Sequence, residues 1–142
     1  MPNLTPEQIA DKWQMLYGIE PMIVYIAGPM SAPGLPYNPI AWAALQTRAR
    51  YACRVQCKLL RRGIVSINPY SSCLDPEMWS YQPQEWYHGD LWLITKADAI
   101  VLLPGWEVSR GVTQYELPFA RLRNMRAYEW DDAIDSLREM SE

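Results

Sequence analysis

Histidine is nearly missing from this chain: His88 is the only one in 142 residues. Zinc sites and Ser-His-Asp triads are built around imidazole, so neither assembles readily from this sequence. Cysteine is scarce as well. Cys53 and Cys57 lie four apart in a predicted helix, Cys73 stands in a predicted loop, and the odd count shows no metal-type spacing. They read as thiols of a reducing compartment, not as a disulfide framework. No metal and no organic cofactor is expected. Long apolar runs are missing too; none approaches the ~20 residues of a bilayer span. The start, Met1-Pro-Asn-Leu-Thr-Pro-Glu7, has no basic segment leading into an apolar one, so it does not read as a secretory signal. A cytoplasmic protein without a membrane partner is the expectation. Nor is there an excess of positive charge: the net value is −3, which argues against a surface that grips polymeric nucleic acid and leaves small nucleotides open.

What the chain has in quantity is apolar sequence, 49% of the residues, enough for one compact core without staples. A single domain over 1–142 is expected. Thr5-Pro-Glu-Gln has the form of a capped helix start, with Thr5 as cap and Pro6 at the first helical position. It predicts a peripheral helix within 1–20 that ends at Gly18. Met22-Ile-Val-Tyr-Ile-Ala27 is a short apolar run stopped by Gly28-Pro29, as a buried strand requires. From about Ile40 to Arg62, Ala44, Leu45, Ala52, Val55 and Leu59 share one helical face. Ile64–Ile67 reads as a second strand broken at Asn68-Pro69. A long polar excursion to Pro83 follows, with Trp79, Trp86 and Tyr87 in or beside it as a candidate lid. Helical spacing resumes from about Gln84 to Ala97. Ala99–Leu103, apolar throughout, is the clearest strand. Val112 to Asn124 is predicted helical, with Pro118 either producing a kink or marking the helix start. An edge strand near Ala127-Tyr128 and an acidic helix over 129–142 complete the prediction. Alternating strands and helices predict an α/β Rossmann-like or flavodoxin-like sandwich, with a mostly parallel sheet of about five strands and a core over 22–128.

Two loops follow the apolar runs: Tyr25-Ile-Ala-Gly-Pro-Met-Ser-Ala-Pro-Gly34, and Leu103-Pro-Gly-Trp-Glu-Val-Ser-Arg-Gly111 leading to Glu116. After parallel strands both open at the carboxyl edge of the sheet, where such folds place ligands. Gly, Ser, Trp, Tyr and carboxylates then converge in one cleft, a combination suited to a sugar-phosphate bearing a stackable base. Asp90 and Glu116 are the carboxylates placed to reach it. Two of them in one cleft are what glycosidic cleavage requires, one attacking the sugar and one managing the leaving group. Each taken alone reads more readily as an exposed helix charge than as a catalytic group. Ser109 precedes a helix whose free N–H groups favour an anion, and fits either a phosphate contact or a simple helix cap. Arg110 is a charge partner for such an anion, and Ser31 with the backbone after Gly28 would add donors. Trp106 fits either a stacking surface for a base or a hydrophobic plug. Gly28-Pro-Met-Ser-Ala-Pro-Gly34 lacks the Gly-x-Gly-x-x-Gly spacing of a dinucleotide domain.

Val24-Tyr-Ile-Ala-Gly-Pro29, Asp90-Leu-Trp-Leu93 with Ala97-Asp98, and Leu103-Pro-Gly-Trp-Glu-Val-Ser-Arg-Gly111 with Glu116 and Ala120 resemble the nucleoside 2-deoxyribosyltransferase superfamily. That superfamily includes the 2'-deoxynucleoside 5'-monophosphate N-glycosidases. The resemblance implies that Glu116 is a nucleophile attacking C1' of the deoxyribose, that Asp90 contacts the sugar and protonates the leaving base, and that Tyr25 orients the nucleophile. It implies substrate contacts by Gly28, Pro29, Met30, Ser31, Gly105, Trp106, Ser109, Arg110 and Gly111. It further implies a deoxynucleotide or deoxynucleoside substrate, no cofactor, and assembly as a homodimer or larger homo-oligomer. A nucleotide-binding protein without turnover is the rival expectation. The resemblance carries one departure: Glu116 stands five residues after Gly111, where the family has four. An extra residue accommodated in the loop or the first helical turn would reconcile the two.

Overall fold

The protein is described from a computed structural model, which defines residues 3–29, 39–74 and 83–141. Met30, Ser31 and Trp79 lie outside those residues, as does the side chain of Cys73. The first helix, α1 (Pro6–Tyr17), starts on the capping box its sequence announces. The Thr5 amide donates to the Gln8 side chain at 2.8 Å and the Gln8 amide to the Thr5 hydroxyl at 3.1 Å. No residue of α1 is buried. It is held from outside, where Trp13 Nε1 donates to the Gly63 carbonyl at 2.5 Å and Tyr17 packs on Gly63, whose φ of +82° also demands glycine.

The remaining order is β1 (Met22–Ala27), α2 (Pro39–Arg61), β2 (Ile64–Ile67), a 3₁₀ segment (Pro69–Leu74), α3 (Pro83–Ile94) and β3 (Ala99–Leu102). A short 3₁₀ turn (Trp106–Val108), a π-helical turn (Val112–Glu116), α4 (Leu117–Leu122), β4 (Arg126–Asp131) and β5 (Ser136–Glu139) complete it. The five strands form one sheet in the order β2-β1-β3-β4-β5, the first four parallel. This is an α/β, Rossmann-like single domain, as expected. Alternation along β1 divides its side chains between two layers. Val24 and Ile26 face α2, which buries Leu45, Ala49, Ala52, Val55 and Leu59 along one stripe. Tyr25 and Ala27 face the other layer, built from Ile94, Val112, Leu117 and Ala120. After β1 the chain runs out to β2 and returns to β3 on the opposite side of β1. That reversal leaves a crevice at the carboxyl ends of β1 and β3.

Two expectations are corrected. The strand around Ala127-Tyr128 is not an edge: β5 lies beyond β4 and pairs with it antiparallel. The predicted helix over 129–142 is instead this hairpin, because its aspartates serve the turn and not a helix. Asp131 accepts the Ala133 amide at 2.9 Å, and Asp135 takes the left-handed conformation at φ +53°. Asp132 accepts from Tyr51 of α2 and from Trp130 Nε1, each at 2.8 Å, and Lys58 pairs with Asp135 at 2.6 Å.

Candidate active site

The centre of β1 brings Tyr25 into the α3 and α4 layer with none of its surface exposed. A buried phenol must spend its O–H on a partner, and here the hydroxyl donates to Glu116 Oε2 in a short hydrogen bond. Glu116 is itself 7% exposed, the one buried charged residue among the described residues. Asp90, on α3, lies close enough to the Tyr25 hydroxyl for a hydrogen bond that favours its ionised form and draws its pKa down. Burial nevertheless pushes the Asp90 carboxyl up to about 7. Glu116 is pushed up to about 8, first by burial and then by the Asp90 charge, against the lowering effect of the Tyr25 bond. Burial and the two carboxylates move the Tyr25 phenol well above its ordinary range. The three residues that the sequence singles out as catalytic candidates therefore meet in one desolvated cluster.

The route by which Glu116 arrives there is unusual. Five α-helical residues after Gly111 would leave it about 140° around the axis from that glycine. Instead the Leu117 amide donates to the Val112 carbonyl, five residues back, and the chain makes a π turn over Val112–Glu116. The wider turn absorbs the extra residue and turns Glu116 inward. Gly111 then lies against the site: a Cβ there would stand 3.7 Å from Glu116 Oε1 and 3.3 Å from the Tyr87 ring. Tyr87 stacks on Tyr115, ring centres 4.5 Å apart and planes at 13°. Burial raises the Tyr87 phenol, with Tyr115, Glu116 and Asp90 adding to it and Arg110 opposing. Tyr87 thus belongs to the site wall, whereas Trp86 packs on the α2 side of the sheet. Tyr115 was not a sequence candidate; only its position beside Glu116 could have pointed to it.

The described start of the first loop, Gly28-Pro29, meets the second. A Cβ on Gly105, whose φ is +89°, would stand 3.5 Å from Pro29 Cγ. The Pro29 carbonyl accepts the Tyr70 hydroxyl at 2.6 Å, and Gly28 has no room for a side chain, since a Cβ would meet Tyr70 Oη at 2.8 Å and Leu103 Cβ at 3.0 Å. Ser109 acts as a cap: its Oγ accepts the Val112 amide at 3.3 Å and its carbonyl accepts the Thr113 amide at 2.9 Å. Trp106 packs on the α3 and α4 layer, with its Nε1 buried and without a hydrogen-bond partner among the described residues. Arg110 is exposed.

Burial raises both carboxyl groups and the Asp90 charge raises Glu116 further, so the cluster resists carrying two negative charges at once. Such a pair supplies one nucleophile or base and one acid. Among the described residues no group of three His, Cys, Asp or Glu side chains could hold a metal ion, and no helix is long and apolar enough to cross a membrane. Residues 22–127, the stretch from β1 to the start of β4 with Tyr25, Asp90 and Glu116 inside it, match the family model described as Domain of unknown function (DUF4406). No curated protein and no solved structure matches the chain.

Proposed function

We propose that this chain, which belongs to the DUF4406 family, cleaves the N-glycosidic bond of a 2'-deoxynucleoside 5'-monophosphate, or exchanges its base, through a covalent glycosyl ester. The observation that carries the reading is the buried Tyr25–Glu116 hydrogen bond with Asp90 beside it. In the reactive tautomer Glu116 is ionised and Asp90 holds the proton. A Glu116 carboxylate oxygen attacks C1', the C1'–N bond breaks, and the Asp90 proton passes to the departing base. Water then adds to C1' with Asp90 taking its proton, which frees Glu116 and releases deoxyribose 5-phosphate. A second base attacking in place of water gives exchange. Tyr25 holds the Glu116 oxygen that does not attack and lowers the cost of its charge. The donors for the 5'-phosphate are assigned to the segment around Ser109 and Arg110 and to the loop after Gly28, and a homo-oligomer and a cytoplasmic location belong to the same reading.

Chromatography of free base released from a panel of deoxynucleoside monophosphates and nucleosides tests it, with Glu116→Ala beside the wild type. The expected result is release from monophosphates that falls by about 10³-fold or more in the variant, the scale of losing a nucleophile. Release only when an acceptor base is added identifies a transferase. Binding of a nucleotide with no release from any substrate sinks the proposal in favour of a non-catalytic binding protein.

A further inference from the structure

The π turn raises a question of registration. On its upstream side Val112 is fully buried and the Ser109 cap is made, and on its downstream side Leu117 and Ala120 are buried at 4% and 0% exposure. Both flanks are fixed, so one surplus residue has to be absorbed between them. Nothing in the packing of those flanks dictates that the bulge sit at Val112–Glu116 and not a few residues later. If it moved toward Leu122, residue 116 would turn by about 100° and carry its carboxylate off Tyr25.

Pro118 supplies the missing constraint. In an α-helical register its nitrogen would have to donate to the Gln114 carbonyl, but it has no N–H, and its ring would run into that oxygen. A turn that is already widened before position 118 removes the conflict. Pro118 is exposed and contributes nothing to the core; it stands in the first turn of α4, where its missing N–H is tolerated only because the α-helical ladder restarts after the π turn. Gln114, inside the bulge, is exposed as well. We propose that Pro118 is a positioning residue that pins the π turn at Val112–Glu116 and so keeps the Glu116 carboxylate on the Tyr25 hydroxyl. Its value to catalysis rests on the reading of Glu116 as nucleophile; the geometry does not.

The test follows the Glu116 carboxyl by carbon NMR titration of substrate-free protein, the resonance being assigned with Glu116→Gln. The wild type is expected to titrate near 8. In Pro118→Ala the midpoint falls toward the ordinary glutamate range and base release drops about 10²-fold, the scale of a small misplacement of a reacting group. Deleting Gln114 in the Pro118→Ala background removes the surplus residue and returns both readouts to wild-type values. A Pro118→Ala protein whose Glu116 still titrates near 8 overturns the proposal, and so does a deletion that restores nothing. Loss of native circular dichroism in Pro118→Ala overturns it too, because an exposed residue that only pins a turn is not needed for folding. A wild type that shows the raised midpoint, and its loss in Pro118→Ala, yet releases no base keeps the role of Pro118 and sinks the proposed reaction.

Discussion

Tyr25 meets two requirements with one side chain. Its ring fills the centre of the sheet's α3 and α4 face, and its hydroxyl, which water cannot reach, donates to Glu116. Removing the hydroxyl while keeping the ring separates the two. Tyr25→Phe is expected to fold, to lower turnover about 10²-fold with little change in KM, and to raise the Glu116 midpoint above about 8, since the bond that opposes burial is gone. Steady-state kinetics beside the carboxyl titration checks this; a variant with native turnover would remove Tyr25 from the orienting role. At this scale the sequence is informative, because a tyrosine inside the apolar run Met22–Ala27 needs a polar partner across the layer. It does not say which one. The stacking of Tyr87 on Tyr115 joins residues far apart in the chain and leaves no local pattern. Trp106 and Ser109 each carry two readings in the sequence; the packing of the one and the cap bond of the other come from neighbouring atoms that no local pattern announces.

Among the elements, the central strands were legible to within a residue. β1 falls where the sequence places it and β3 ends one residue before the expected Leu103, since a strand covered on both faces has no polar alternation to blur it. The carboxyl-terminal hairpin was not legible, because its acidic residues read as a solvated helix face until α2 is docked beside them. Asp132 is the pivot: it accepts from Tyr51 on α2 and from Trp130 on β4, tying the hairpin to the core. Lys58 and Arg62 lie over the Trp130 ring at 5.9 and 5.6 Å and add to the same junction. Asp132→Ala leaves two donors without their acceptor and is expected to cost about 1–3 kcal/mol, read as a lower urea midpoint with an unchanged slope. The same substitution lets the Tyr51 phenol, held above its ordinary range by burial and by Asp132, return toward it in an ultraviolet titration. A stability unaltered by Asp132→Ala would mean that the hairpin is held by Trp130 packing alone. The π turn was half legible: the resemblance read from the sequence implies one residue more between Gly111 and Glu116, whereas the π turn that lies there follows from packing that fixes both flanks.

For the molecule as a whole, the doubly wound topology opens a crevice at the β1/β3 reversal, and the chain fills the layer beneath it with two carboxyl groups that water would stabilise far better. The sequence locates that crevice through the loops after β1 and β3, but the desolvation comes from packing α3 and the π turn onto Tyr25, which no single segment encodes. A site of this kind trades stability for reactivity, and the sign of the trade follows from linkage. Glu116 titrates near 8 in the folded chain against about 4.3 unfolded, so the folded state binds the proton more tightly. The resulting stabilisation is fully present below about pH 4.3 and is lost as pH rises through 8. Glu116→Gln keeps an acceptor for Tyr25 and cannot ionise, so it escapes that loss. Urea unfolding is expected to find the variant close to the wild type at pH 5 and more stable by a few kcal/mol at pH 9, the gap opening between those values. Comparing the two proteins at each pH cancels the exposed groups they share. A gap that stayed flat from pH 5 to pH 9 would show that Glu116 ionises in the folded state without penalty, and the cleft would then lack the low-dielectric pair on which the proposed chemistry depends.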